Sequence, residues 1–352
     1  MKKMLALLLA LVMVLSLAAC ASSQPATTDA AASTETAETT ETTETTEPAA
    51  EESAEAPAES GKTYTVGVCQ LVQHEALDAA TQGFVDALKE ELGDAVTVDV
   101  QNASGDSVNC GTIVNGFVSK GVDLIMANAT PALTAAVSAT ADIPILGTSI
   151  TAYGVALDID DFNGTVGGNV SGTSDLADLQ AQAQMILDWF PETKTVGLLF
   201  CSAEPNSRYQ IDEVRKALEA QGVTCEEFAF TDSNDVSSVT QKAADFSDVV
   251  YIPTDNTAAS NTEAIANVLI PAGVTAVCGE EGLCRGCGVA TLSISYYDLG
   301  VTTGKMAAKI LKGEADISTM PVEYTDATPK YNASVCEQLG ITPLDGYEAI
   351  DG

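Results

Sequence analysis

Histidine is nearly absent from this chain of 352 residues, which has only one, His74. Chemistry that needs two imidazoles is excluded with it. The run His74-Glu75-Ala76-Leu77-Asp78 begins like the helix of a zinc protease, but Asp78 stands where the second His would be, so no such site forms. Basic residues are also scarce: 15 Lys+Arg face 50 Asp+Glu, a formal net charge of −35, and no three basic residues are consecutive. A protein so acidic repels phosphate, which removes nucleic acid and anionic membrane surface as partners. Aromatic residues make up 5%, with one Trp, too few for the stacking platforms that sugars favour. No P-loop and no nucleophile elbow occur.

What is present falls into two regions. Lys2 and Lys3 precede an apolar run, Met4 to Leu17, that ends in Leu17-Ala18-Ala19-Cys20. This is the charged, apolar and small-residue order of a secretory signal, and the run is too short for a comfortable membrane span. Cys after Leu-Ala-Ala looks like a bacterial lipobox, so residues 1–19 are expected to be a lipoprotein signal peptide and Cys20 a lipidated anchor; an ordinary signal peptide that happens to hold a Cys is the alternative. Residues 21–62 hold no Leu, Ile, Val or Phe, so they cannot offset the entropy of ordering. Residues 20–62 are therefore expected to be an acidic, disordered tether, reaching roughly 35–40 Å as a flexible coil. The tether is not the main source of charge: residues 63–352 carry forty acids and twelve bases.

From Thr63 onward short β-rich runs alternate with longer amphipathic segments, the pattern of βαβ units and parallel sheets. Strands are expected at Thr63–Val72, Val96–Gln101, Val122–Ala127 and Ile143–Gly147, with helices near Ala76–Leu92, Asp106–Lys120 and Pro131–Ala139. After a Gly-rich stretch, 164–172, and a helix at Leu176–Phe190, the order recurs: strands at Thr195–Cys201, Val223–Phe228, Val249–Ile252 and Val274–Val277, helices near Asn206–Gln221, Val236–Phe246 and Asn256–Leu269. Residues recur too. Thr65-Val66-Gly67-Val68 matches Thr195-Val196-Gly197-Leu198 at an offset of 130, and Val122-Asp123-Leu124-Ile125 matches Ser247-Asp248-Val249-Val250 at 125. The fold class is α/β, two similar open parallel-sheet lobes.

Ligands of such sheets bind beyond the carboxyl ends of the strands. The two offsets then pair His74 with Glu204 and Thr130 with Asp255, and after the fourth strand Thr148-Ser149 with Gly279-Glu280. Hydroxyls, a His and helix N-termini on one lobe face carboxylates on the other. That division suits a zwitterion: the first lobe for its carboxylate, Asp255 and a Glu for its ammonium. Asp255→Ala is expected to remove ligand-dependent stabilisation and leave the fold intact. Asp255-Asn256, Glu204-Pro205-Asn206 and Thr130-Pro131 also fit plain helix caps, and that reading stays open.

The same loops resemble the type I periplasmic binding proteins that serve ABC importers, in the tryptophan/tyrosine-type branch. The resemblance is carried by Gln70-Leu71-Val72-Gln73-His74-Glu75-Ala76-Leu77-Asp78, Gln101-Asn102-Ala103-Ser104-Gly105-Asp106, Ala129-Thr130-Pro131-Ala132, Gly167 to Asp175, Pro253-Thr254-Asp255-Asn256-Thr257, and Tyr296 to Gly313, by their order and spacing together. It implies three lobe crossings, a hinge-closing interlobe cleft, and ligand contacts from His74, Thr130, Ser174, Asp175, Asn206, Ser207, Asp255 and Glu280. It also implies an extracytoplasmic, lipid-anchored protein, an ABC permease as partner, a monomer, and no catalytic residues. Lobe one is expected to comprise 63–173 plus about 293–325, and lobe two 174–292 plus about 326–352. Glu75 departs from the family, which often has Pro there, and the loop Cys278-Gly279-Glu280-Glu281-Gly282 departs as well.

Eight cysteines remain besides Cys20. Cys69 and Cys201 sit on the two first strands, where a buried thiol acts as a small apolar group. Cys278, Cys284 and Cys287 have part of a metal-ligand spacing without an evident fourth ligand, so no metal and no cofactor is expected; a local disulfide and free thiols are the remaining readings. Trp189 and Phe190 read as core, and Tyr153, Tyr209 and Tyr296 as candidates for a cleft wall. The expectation is a binding protein for an amino acid, possible aromatic ligands included. The alternatives are the same fold holding a nucleoside or sugar, and a sensory receptor or enzyme acting on a small solute.

Overall fold

The computed structural model describes residues 62–350; the leader, Cys20 and the tether up to residue 61 lie outside them. Two α/β lobes are built to one plan. The first begins with β1 (Tyr64–Gln70), α1 (Glu75–Leu92), β2 (Val96–Asn102), α2 (Ser107–Lys120), β3 (Leu124–Asn128), α3 (Thr130–Ala139), β4 (Ile145–Ile150), α4 (Tyr153–Ala156) and β5 (Val170–Ser174). The second comprises α5 (Leu179–Trp189), β6 (Thr195–Cys201), α6 (Pro205–Glu219), β7 (Thr224–Phe230), α7 (Val236–Phe246), β8 (Val249–Ile252), α8 (Asn256–Ala259), α9 (Thr262–Ala272), β9 (Thr275–Cys278), α10 (Glu281–Cys287) and β10 (Ala290–Ser293). The chain then returns through α11 (Tyr296–Lys312) and β11 (Glu323–Tyr324) to the first sheet, and ends with β12 (Thr328–Tyr331), α12 (Ala333–Leu339) and β13 (Glu348–Ala349) in the second.

The sheets run β11-β5-β4-β3-β1-β2 and β13-β12-β10-β9-β8-β6-β7. The sequence offsets are the register of one motif made twice: Val66 opposes Leu124 in the first sheet, and Val196 opposes Val249 in the second. A loop contact repeats with them. Asp123 accepts the Thr65 amide at 2.7 Å, and Asp248 accepts the Thr195 amide at 2.9 Å. Pairing is parallel throughout except between β10 and β12, which are antiparallel, so the second sheet is mixed rather than wholly parallel.

Each sheet is buried on both faces, as parallel sheets must be. In the first, Val66, Val68, Leu124 and Met126 pack on Phe84 and Leu88 of α1 and Met306 and Leu311 of α11, while Ile125 and Ala127 pack on Val114, Phe117 and Leu133 of α2 and α3. In the second, Val196, Leu198 and Tyr251 meet Ile186, Ile211 and Val214, and Leu199, Val250 and Ile252 meet Val236, Ile265 and Leu269. Trp189 belongs to the core, its ring edge-on to Tyr347 at 5.1 Å.

Two local expectations are corrected, and one stretch left unassigned is resolved. The helix expected over 256–269 is two, α8 and α9: the Asn261 side chain donates to the Thr257 carbonyl at 2.7 Å and so competes with the helical backbone. The helix expected from Leu176 starts at Leu179, because Asp178 caps the amides of Gln180 and Ala181. The Gly-rich stretch yields a strand, β5, in which a Cβ on Gly172 would lie 2.0 Å from the Gly147 carbonyl oxygen, so glycine there permits close strand approach.

Candidate functional site

Polar side chains fix the start of α1 to the ends of β1 and β3. Gln70 donates to Asp78 at 2.6 Å and accepts from Thr81 at 2.6 Å; Asn128 donates to the Leu77 carbonyl at 2.9 Å. This lattice sets the position of His74, the N-cap residue of α1, which makes no cap bond with its side chain. Its Nε2 instead lies 3.3 Å from Asn256 Oδ1 on the other lobe. Desolvation lowers the pKa of His74, so the ring is neutral at neutral pH.

The second lobe answers with three acidic N-cap residues. Asp255 accepts the amide of Ala258 at 2.8 Å and that of Cys201 at 2.7 Å. Glu280 caps α10 through the amides of Gly282 and Leu283. Glu204, at the N-cap position of α6, does not cap its own helix; it accepts the amides of Asn256 at 3.0 Å and Thr257 at 2.9 Å, holding the start of α8. Burial pushes Asp255 up to about 8, helped by the neighbouring Glu204 charge, and burial likewise pushes Glu280 up to about 7. Asp175 is raised by burial as well, against the bond that the Tyr296 hydroxyl donates to it at 2.9 Å.

Between the lobes lies a narrow cavity, walled by His74, Leu77, Ser149, Thr151, Asp175 and Tyr296 together with Asn206, Thr254, Asp255, Asn256, Ala259 and Glu280. No Lys or Arg is in this wall. Three buried polar atoms in it have no protein partner: Ser149 Oγ, Asp175 Oδ1 and Asn206 Oδ1. Buried polar atoms are ordinarily paired, so these three are the wall's open hydrogen-bonding positions. Ser149 is held at φ 55°, a left-handed conformation that is uncommon for Ser.

Of the eight residues expected at the ligand, five line this cavity: His74, Asp175, Asn206, Asp255 and Glu280. The other three are buried but lie outside the wall. Ser207 hydrogen-bonds Asp255, Ser174 donates to the Thr151 carbonyl at 3.1 Å, and Thr130 opens α3. Thr148 is buried in a hydroxyl triangle with Thr173 and Thr303, and its neighbour Ser149 faces the cavity instead. Tyr153 is a buried strut, donating to the Gly147 and Thr173 carbonyls, and Tyr209 packs on the core of the second lobe; of the three tyrosines only Tyr296 reaches the wall. Sequence reasoning missed Leu77, Thr151, Thr254, Asn256 and Ala259 as lining residues. Thr254 and Asn256 flank Asp255, a position from which they could have been found.

Residues 65–346 match the family of ABC transporter substrate binding proteins. The chain belongs to that family. It is a type I periplasmic binding protein of the tryptophan/tyrosine branch. Among its relatives is a tyrosine-binding protein of Clostridioides difficile (strain R20291), 32% identical over 276 residues, 77% of this chain and 79% of the relative. Among solved structures, the ABC domain from Streptococcus pneumonia in complex with L-Trp has a TM-score of 0.78 at 32% identity, covering 82% of this chain and all of that one. The ligand-free, open structure of a Clostridium difficile substrate binding protein with adhesive properties gives 0.63 at the same identity, over 82% of this chain and 99% of that one. This substrate-binding protein therefore superposes better on the tryptophan complex than on the open form. Among the described residues no helix is long and apolar enough to cross a membrane, and no cluster of three or more His, Cys, Asp or Glu is arranged to hold a metal ion.

Proposed function

We propose that the protein captures an amino acid, with aromatic L-amino acids as the first candidates, by hinge closure outside the cytoplasm and hands it unchanged to an ABC permease, while a lipid on Cys20 keeps it at the membrane. The observation that carries the reading is the wall of the interlobe cavity. Asp255, Glu280 and the free Asn206 Oδ1 give the second lobe an acceptor cluster for an ammonium group. Ser149 offers the first lobe's hydroxyl to a carboxylate, in the same wall as His74, the N-cap residue of α1. Hinge closure is supported by the split of the wall between lobes and by the better match to the tryptophan complex, since contacts completed only in the shut form make the ligand select that form.

The test is a thermal-shift and calorimetric panel of amino acids, nucleosides and sugars, read beside native mass spectrometry of freshly purified protein. Amino acids, L-tyrosine or L-tryptophan among them, are expected to stabilise the fold and to be recovered unchanged. Stabilisation by a sugar or nucleoside alone would overturn the ligand class, and turnover would overturn the binding role. Asp255→Ala, expected from sequence to leave the fold intact, is a poor probe, because it strips acceptors from two amides. Asp255→Asn keeps an acceptor and removes the charge, and is expected to abolish ligand stabilisation.

A further inference from the structure

We propose that Glu75 and Arg285 form an electrostatic clasp across the cleft mouth, positioning residues that slow opening, and hence ligand release, without touching the ligand. The proposal rests on the closure reading above. Arg285 Nε lies 3.0 Å from Glu75 Oε1, and among the described residues this is the one ion pair that joins the two lobes. Glu75 is the first residue of α1 and follows the cavity residue His74; Arg285 lies on α10, which the cavity residue Glu280 caps. The clasp does not end at one pair. Arg285 also donates to Glu281 at 2.9 Å, and Lys330 donates to the other oxygen of Glu281 at 2.5 Å, so charges alternate from Glu75 to Lys330. Arg285 is thereby oriented from its own lobe before Glu75 arrives. The helices abut where they meet, for a Cβ on Gly282 would lie 3.3 Å from Glu75 Cβ.

Glu75 and Arg285 also wall a surface recess that shares His74, Ala259 and Glu280 with the cavity, so the pair stands on the outer side of the cavity wall. Opening must break it. Closing over the ligand does not require it, because neither residue lines the cavity. The side chains are 49% and 34% exposed, so salt screens the pair and weakens the clasp.

The experiment is stopped-flow release of L-tyrosine and L-tryptophan from the full chain in 20 mM and 500 mM NaCl, for the parent, Glu75→Gln, Arg285→Met and the double variant. At low salt each single variant is expected to release ligand up to about fivefold faster, and the double no faster than either single. The salt acceleration of the parent should shrink in all three. Additive single effects, or an unchanged salt response, would overturn the clasp. Hydrogen exchange of residues 75–78 and 281–285 in the ligand-free full chain separates this outcome from failure of the ligand reading. If neither amino acid binds, faster exchange in Glu75→Gln than in the parent at low salt, converging at high salt, still supports the clasp, and identical exchange refutes it.

Discussion

The hydroxyl of Tyr296 donates to Asp175 Oδ2 at 2.9 Å, joining residues 121 positions apart. Asp175 follows β5, where the chain leaves the first sheet, and Tyr296 begins α11, where it returns. The bond therefore ties two lobe crossings together at the cavity, and it leaves Asp175 Oδ1, on a residue of the cavity wall, without a protein hydrogen-bond partner. Tyr296→Phe should cost about 1–3 kcal/mol, the range for a lost bond to a buried carboxylate, and lower the melting temperature by a few degrees. Asp175→Asn keeps an acceptor for Tyr296 and should change melting little while weakening ligand binding. Equal effects of the two variants on calorimetric affinity and on melting would deny Asp175 a separate part at the ligand.

Asp255 and Glu280 hold their protons to about 8 and about 7, whereas in an unfolded chain they ionise near 3.9 and 4.3. Between about pH 4 and pH 8 the folded state thus binds more protons than the unfolded one, and stability falls as pH rises. The ligand-free protein should melt at a higher temperature at pH 5.5 than at pH 8.5, with a weaker slope in Asp255→Asn and Glu280→Gln. An ammonium ligand favours the ionised carboxylates, so binding near pH 7 should release protons. Calorimetry in two buffers of different ionisation enthalpy would detect this as different apparent heats, and equal heats would count against an ammonium at these acids.

The two-lobed architecture was legible because it is written twice: the matched residues of β1 and β6, and of β3 and β8, fix both strand identity and pairing register. Asp255 and Glu280 were legible as rim residues for the same reason. Their second job, capping α8 and α10, was also visible in the residue types, and the structure shows that capping and lining the cavity coincide in these side chains. The misplaced residues share a cause. Thr148 and Ser149 are adjacent, and which of them faces the cavity depends on the left-handed turn at Ser149, which sequence spacing does not encode. Ser174 and Ser207 were carried by resemblance alone and Thr130 by the repeat offset as well, and the burial of all three outside the wall follows from tertiary packing. Glu204 crossing to α8 is a long-range choice of the same kind.

The helix pair that carries His74 and Tyr296 supplies the last prediction. Helices α1 and α11 approach so closely that a Cβ on Gly300 would lie 2.0 Å from the Ala80 carbonyl oxygen, and one on Gly83 would lie 2.1 Å from that of Tyr297. Backbone cannot yield as a flexible side chain can, so Gly300→Ala must push the helices apart. Overpacking of this sort costs about 1–3 kcal/mol or more, although Ala is the better helix former by roughly 1 kcal/mol. The close approach wins, because the propensity gain is the smaller quantity. Gly300→Ala should therefore lower the melting temperature and, by displacing α1 relative to Tyr296, weaken ligand binding as well. Gly116→Ala, on α2 where a Cβ meets nothing within 4 Å, is the control and should be neutral or stabilising. Equal melting of the two variants by calorimetry would show that the helix contact has slack that the backbone distances deny.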